Sequence, residues 1–203
     1  MNLPNRITVS RIFLTPLFFI LFQFFMAFRH TFLGQLCSIL LLLFWLFLEI
    51  TDVLDGYLAR KHQLVSDIGK LMDPFGDVFS RITFFFCFAQ SQLFPYWPIL
   101  IIIWRELSIT FMRAILIKGG VTLAASKGGK MKAVFYFLAS AYGSIILLLA
   151  SWGHWSLQST PWLYASIGGY IIIIGAAIAA LWSFVSYFML FIRTPYVRQF
   201  IEE

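Results

Sequence analysis

The chain has 203 residues, 61% of them hydrophobic and only 12% charged, with a net charge of +6. That composition excludes a disordered chain and argues against a soluble domain, so a single integral membrane domain over residues 1–203 is predicted. The positive balance then concerns topology and anionic lipid, and no nucleic-acid partner is expected.

Met1 to Arg11 alternates apolar and polar residues, with Arg6 and Arg11 basic. This predicts a short interfacial helix leading into the bilayer. A first span follows from about Ile12 to Phe28, too long for a signal peptide and without a small-residue cleavage site. After a turn at Arg29-His30-Thr31, a second span begins near Phe32 and runs into an acidic stretch. Cys37 and Cys87 lie in apolar runs with no CxxC or Cys/His spacing, and read as small core residues.

Residues 52–77 hold four carboxylates: Asp52, Asp55, Asp73 and Asp77. Asp52 and Asp55 are i,i+3 and Asp73 and Asp77 are i,i+4, so on helices each pair shares one face. The polar run Arg60 to Ser66 between them predicts a turn, giving a helical hairpin with both pairs near its mouth. An aspartate deep in a bilayer costs roughly 2.5–3.5 kcal/mol, and four together also repel one another. Oxygen-only ligands suit hard divalent ions, and two such ions about 3.5–4 Å apart are a recurring device of phosphoryl transfer. Gly56 and Ala59 are small enough to let a flat ring or a phosphate approach the backbone.

Written out, the stretch is Asp52-x2-Asp55-Gly56-x2-Ala59-Arg60-x8-Gly69-x3-Asp73-x3-Asp77. It resembles the signature of the CDP-alcohol phosphatidyltransferases at all eight fixed positions. The opening Pro4-Asn5-x2-Thr8-x2-Arg11 resembles the start of the glycerophosphate branch of that family, which makes Asn5 and Thr8 candidates near the nucleotide.

Glu49, one turn before Asp52, could back the aspartates or pair with a neighbouring helix. The third span runs from Gly69 to about Ser91 and contains Pro74, a potential kink. Arg81 lies four residues after Asp77, where it could hold that carboxylate, neutralise the cluster, or form an ordinary ion pair. Ser91 to Pro98 reads as an aromatic interfacial turn. A fourth span, about Ile99 to Ile117, carries Arg105, Glu106 and Arg113. Charges at that depth usually face the bundle interior. Arg105 and Glu106 are neighbours and do not share a helix face, whereas Arg105 and Arg113, eight apart, do. Their guest would be an anionic phosphate, or else they pair with Glu49 or Glu106.

Lys118 to Lys132 is predicted as a pliable basic loop whose backbone amides could cradle an oxyanion. A fifth span runs from about Ala133 to Ser151, an uncharged aromatic turn with an interfacial His154 follows, and a sixth span runs from about Leu163 to Ile192. Arg193 to Glu203 reads as a polar tail. Of the 15 Lys and Arg residues, eleven flank one side, only Arg29 the other, and Arg81, Arg105 and Arg113 lie within spans. Six spans with both termini and the aspartates at the cytoplasmic face are therefore expected, in the inner membrane.

The resemblance implies CDP-diacylglycerol as donor, a small alcohol as acceptor and CMP as leaving group. It implies two Mg²⁺ or Mn²⁺ ions on Asp52, Asp55, Asp73 and Asp77, with Asp77 also the base for the acceptor hydroxyl. The nucleotide side would comprise Asn5, Thr8, Asp52, Gly56, Ala59, Arg60 and Gly69. The Arg-Glu pair and the Ala-Ala-Ser-x2-Gly-Lys-x-Lys pattern resemble the glycerophosphate branch, implying sn-glycerol 3-phosphate as acceptor, met by Arg105, Arg113, Lys130 and Lys132. One departure is Asp73-Pro74-Phe75-Gly76-Asp77-Val78, where that branch often has Asp-Pro-x-Ala-Asp-Lys. Inositol phosphate or phosphatidylglycerol are the alternative acceptors. A divalent-cation carrier is the remote alternative, since the carboxylates sit at one level rather than along a path. Members of the family are commonly homodimers surrounded by membrane lipid.

Overall fold

A computed structural model describes the backbone of residues 3–61, 67–120 and 127–202, and the side chains of residues 9–54, 74–117, 119–120 and 129–198. Among these residues the chain is all helical: α1 Leu3–Phe28, α2 Phe32–Lys61, α3 Asp67–Gln90, α4 Tyr96–Lys118, α5 Lys127–Trp152, α6 Thr160–Arg193 and α7 Pro195–Glu202.

Four of the helices contain a stretch long and apolar enough to cross a membrane: Val9–Phe28, Phe32–Leu54, Gly129–Trp152 and Thr160–Arg193. In α1, Thr15, Phe18, Phe22 and Phe25 are buried, while Phe13, Leu17 and Phe24 are more than half exposed. A helix whose outer face is as apolar as its inner one suits lipid, not water. The chain is an integral membrane protein by this pattern.

Several sequence expectations shift in detail. The N-terminal interfacial helix is not a separate element, because α1 runs unbroken through Arg11 and Pro16. Arg60 and Lys61 belong to the end of α2 instead of a turn. Lys130 and Lys132 lie in the first turns of α5, since Gly128 and Gly129 are absorbed into the helix. The C-terminal tail contains α7, which starts at Pro195 directly after Thr194. Proline suits that first helical position, where its missing N–H costs nothing.

The chain divides into two compact units, and α5 and α6 contribute to both. The first comprises Met1–Phe94 and Ser140–Gly169. Here α1 packs along both α2 and α3. Phe18 meets Phe84 edge-on at 4.7 Å and Phe44 at 5.9 Å. Thr15 and Ser80 share a hydrogen bond of 2.9 Å, and Gln23 and Gln90 exchange a reciprocal pair at 2.9 and 3.0 Å. Such polar links hold helices together where lipid removes most of the hydrophobic drive. Both cysteines are buried and free, as the sequence suggests. The second unit comprises Pro95–Ala139 and Tyr170–Glu203. Its core gathers Ile109, Met112 and Tyr187, with Phe184 and Phe191 packed against them.

Candidate active site

In α2 the residues Leu41, Trp45 and Leu48 are buried at helical spacing, and Asp52 is the next position in that series. The stripe that packs α2 against its neighbours therefore ends in a carboxylate. Asp55 follows three residues later in the same helix, and α3 carries Asp73 and Asp77 one turn apart. The two halves of the motif thus lie on two helices, as the spacing requires.

Asp52 and Asp77 meet at a small cavity of about 10 Å³, room for roughly one water molecule. Arg11, Leu48, Glu49, Ser80, Arg81 and Phe84 complete its lining. Arg11 enters from α1. Its Nη1 donates to Asp52 Oδ1, and its Nη2 lies 3.0 Å from Asp77 Oδ1. The arginine side chain is 3% exposed, against 31% for Asp52 and 46% for Asp77. The carboxylates are thus open on one side and held by a buried cation on the other.

Behind this pair stands a second ion pair. Arg81 donates through Nη1 to Glu49 Oε1 and through Nη2 to Glu49 Oε2 at 2.7 Å, and also to Ser140 Oγ at 2.9 Å. Of the roles open to Arg81 and Glu49, pairing across helices is the one they take. The bidentate fork joins α2 to α3 and α5 one turn away from the aspartates.

The donor set fits a hard divalent ion in kind: oxygen-only carboxylates from two helices converge on one cationic side chain, the Arg11 guanidinium. Among the described residues no group of three metal-ligand side chains gathers. Asp55 and Asp73, which would enlarge the set, lie outside the described side chains, as do Asn5, Thr8, Gly56, Ala59, Arg60 and Gly69.

The second unit holds another charged cluster. Glu106, 4% exposed, accepts from Arg105 Nη1 at 2.9 Å, Lys132 Nζ at 2.7 Å and the Tyr136 hydroxyl at 2.9 Å. Arg105 also donates to Ser183 at 2.7 Å. Of the alternatives the sequence leaves open for Arg105, pairing with Glu106 is the one it takes, although the two are sequence neighbours. Their Cβ directions differ, but both long side chains turn inward. Arg105 and Arg113 do share a face: their guanidiniums lie 5.7 and 5.5 Å from the ring of Tyr187. Arg113 also reaches the Tyr187 hydroxyl at 3.3 Å. Lys130 is exposed.

Comparison with known proteins gives this geometry its context. The family model described as CDP-alcohol phosphatidyltransferase matches residues 1–186. The chain belongs to this family. It is 32% identical over 196 residues to a CDP-diacylglycerol–glycerol-3-phosphate 3-phosphatidyltransferase of Treponema pallidum, covering 94% of this chain and 89% of the relative. Proteins of the same name from Bacillus subtilis and Rickettsia typhi are 33% and 30% identical, covering 64% and 92% of this chain and 70% and 95% of theirs.

The chain is thus a phosphatidyltransferase of phospholipid biosynthesis, and its structure adds Arg11 to the residues that meet Asp52 and Asp77. An arginine near the start of a span reads as a topology flank. The signal was its register: Arg11 precedes Thr15, Phe18, Phe22 and Phe25 at steps of four, three, four and three, on the buried face of α1.

Proposed function

We propose that the enzyme transfers the phosphatidyl group of CDP-diacylglycerol to sn-glycerol 3-phosphate, giving phosphatidylglycerophosphate and CMP. The observation that carries the reading is the convergence of Asp52 and Asp77 from the two motif helices onto one cation. Support for donor and acceptor comes from the relatives, whose names specify both.

Asp52, Asp55, Asp73 and Asp77 would hold two Mg²⁺ or Mn²⁺ ions, whose charge offsets that of the diphosphate and of the departing CMP. The C1 hydroxyl of the acceptor attacks the phosphorus that carries diacylglycerol. A new P–O bond forms, and the bridging P–O bond to CMP breaks. Asp77, the more exposed of the two described carboxylates, accepts the hydroxyl proton. A carboxylate is a weak base, so positioning supplies much of the rate. Asn5, Thr8, Gly56, Ala59, Arg60 and Gly69 would line the nucleotide side.

For the acceptor phosphate, the four cations of the second unit divide. Arg105 and Lys132 already neutralise Glu106, whereas Arg113 and exposed Lys130 carry charge toward a ligand. A six-span chain with both termini cytoplasmic, in the inner membrane and dimeric, completes the reading. The excess of basic residues flanking the side that carries the aspartates supports the orientation.

The test is release of CMP from CDP-diacylglycerol by purified protein, run against a panel of acceptors. Turnover is expected with glycerol 3-phosphate and a divalent ion. Turnover only with inositol phosphate or phosphatidylglycerol would overturn the acceptor, and turnover without divalent ions would overturn the metal role.

A further inference from the structure

Arg11 lies outside the aspartate motif, on a different helix, yet it is among the most buried charged residues described. Thr15, one turn further on, links its backbone to α3. The Thr15 hydroxyl is 2.8 Å from the Arg11 carbonyl and 2.9 Å from Ser80 Oγ on α3. A charge this deep is strongly destabilising without a partner. Its described partners are the two carboxylates, one from each motif helix. Asp52 and Asp77 would repel each other across the cavity, and a planar guanidinium fork is shaped to bridge them.

A divalent ion on these carboxylates would compete with Arg11 for them, because the guanidinium already holds one oxygen of each and two cations side by side repel. We infer that Arg11 is the resident counter-cation of the metal site: it gathers Asp52 and Asp77 in the metal-free enzyme and gives them up when a divalent ion binds. The inference rests on the metal role under Proposed function. Arg11 is then a positioning residue whose work is done before the ion arrives. It keeps the ligands close without a preformed cluster of unpaired charge in the bilayer. It also weakens the apparent metal affinity, because the ion must displace it.

The experiment uses the full chain in detergent or nanodiscs, with Mn²⁺ as probe. Free Mn²⁺ is followed by electron paramagnetic resonance, and thermal unfolding is recorded with and without Mn²⁺. Arg11→Gln is expected to bind Mn²⁺ about tenfold more tightly, the scale of one hydrogen bond to a charged group. Its metal-free midpoint should fall, while its Mn²⁺-saturated midpoint stays near wild type, because the ion takes over the same carboxylates. Arg11→Lys keeps the charge but loses the fork, and should show most of the metal-free loss.

Unchanged or weaker Mn²⁺ binding in Arg11→Gln would overturn the inference. So would equal destabilisation with and without Mn²⁺, or wild-type behaviour of Arg11→Lys, which would leave only a nearby charge. If Arg11→Gln is not recovered without metal, it is expressed and purified with Mn²⁺. Recovery supports the inference, and failure there overturns it. Asp52→Asn serves as the reference: if wild-type Mn²⁺ binding is absent or indifferent to Asp52→Asn, the metal role itself fails and takes this inference with it. If only the Arg11 variants leave binding unmoved, the metal role stands and the counter-cation falls.

Discussion

Arg81 grips both oxygens of Glu49 at a fixed offset from the aspartates: Glu49 stands three residues before Asp52, and Arg81 four residues after Asp77. The pair therefore crosses between the motif helices one turn from the carboxylates and ties α2 to α3 beside them. The side chains are 11% and 16% exposed.

Breaking that pair from one side leaves a buried charge unmatched. Arg81→Met is expected to destabilise the protein by about 3 kcal/mol, and replacing both partners by apolar residues by much less. Thermal unfolding of the two single variants and the double variant measures this. Turnover should fall in all of them, because the spacing of the aspartates loses its brace. A double variant less stable than either single one would show that the pair is not the source of the effect.

The aspartates should separate chemistry from folding. Asp55→Asn and Asp73→Asn are expected to abolish turnover with helix content and elution profile unchanged, since an amide keeps the size but loses the charge a divalent ion needs. Asp52→Asn and Asp77→Asn should do the same. Chelation should silence the wild type, and Mg²⁺ or Mn²⁺ should restore it. Near-normal CMP release by any of these variants would remove that residue from the ligand set.

How far the sequence could be read is clear from particular residues. Asp52 and Asp77 were legible because helical spacing alone puts each beside its partner in the motif, and α2 and α3 indeed carry them as helices. The second unit was less so. Lys130 and Lys132 looked like loop residues because Gly128 and Gly129 lower helix propensity, yet the helix begins at Lys127. Arg11 stands in register with Thr15, Phe18, Phe22 and Phe25, but the opposite face of α1 is as apolar, so that register becomes decisive only once α1 packs on α2 and α3. The short α7 hides in a polar tail. Its cues were local, namely Thr194 followed by Pro195.

The cations of the second unit are expected to divide by function. Glu106→Gln removes the charge that buried Arg105 and half-buried Lys132 share, leaves both cations under-compensated, and should lower thermal stability strongly. Arg105→Met should behave similarly. Arg113→Met should instead raise KM for glycerol 3-phosphate by about tenfold, the weight of one charge-assisted contact, with a smaller change in kcat. Steady-state kinetics with varied acceptor distinguishes the cases. If Arg113→Met alters stability but not KM, the acceptor phosphate lies elsewhere.

The first unit also makes a prediction about close packing. Gly168 and Gly169 are adjacent in α6, but they face different neighbours. A Cβ at Gly168 would meet the Tyr142 hydroxyl, the far end of a side chain that now donates to the Ala165 carbonyl at 2.7 Å. That end can swing away for the loss of one hydrogen bond, about 1 kcal/mol. A Cβ at Gly169 would meet the backbone carbonyl of Leu93, with the Phe94 ring at 3.0 and 3.2 Å. Leu93 and Phe94 are 0% and 2% exposed, and their amides are tied to the Phe88 carbonyl at 3.0 and 3.3 Å. Neither can withdraw without breaking the turn that ends α3. Gly169→Ala should therefore cost about 1–3 kcal/mol and exceed Gly168→Ala, although both add the same methyl group. Thermal midpoints of the two variants in one detergent test the order. The reverse order would mean that α6 approaches the turn after α3 less closely than its glycines suggest.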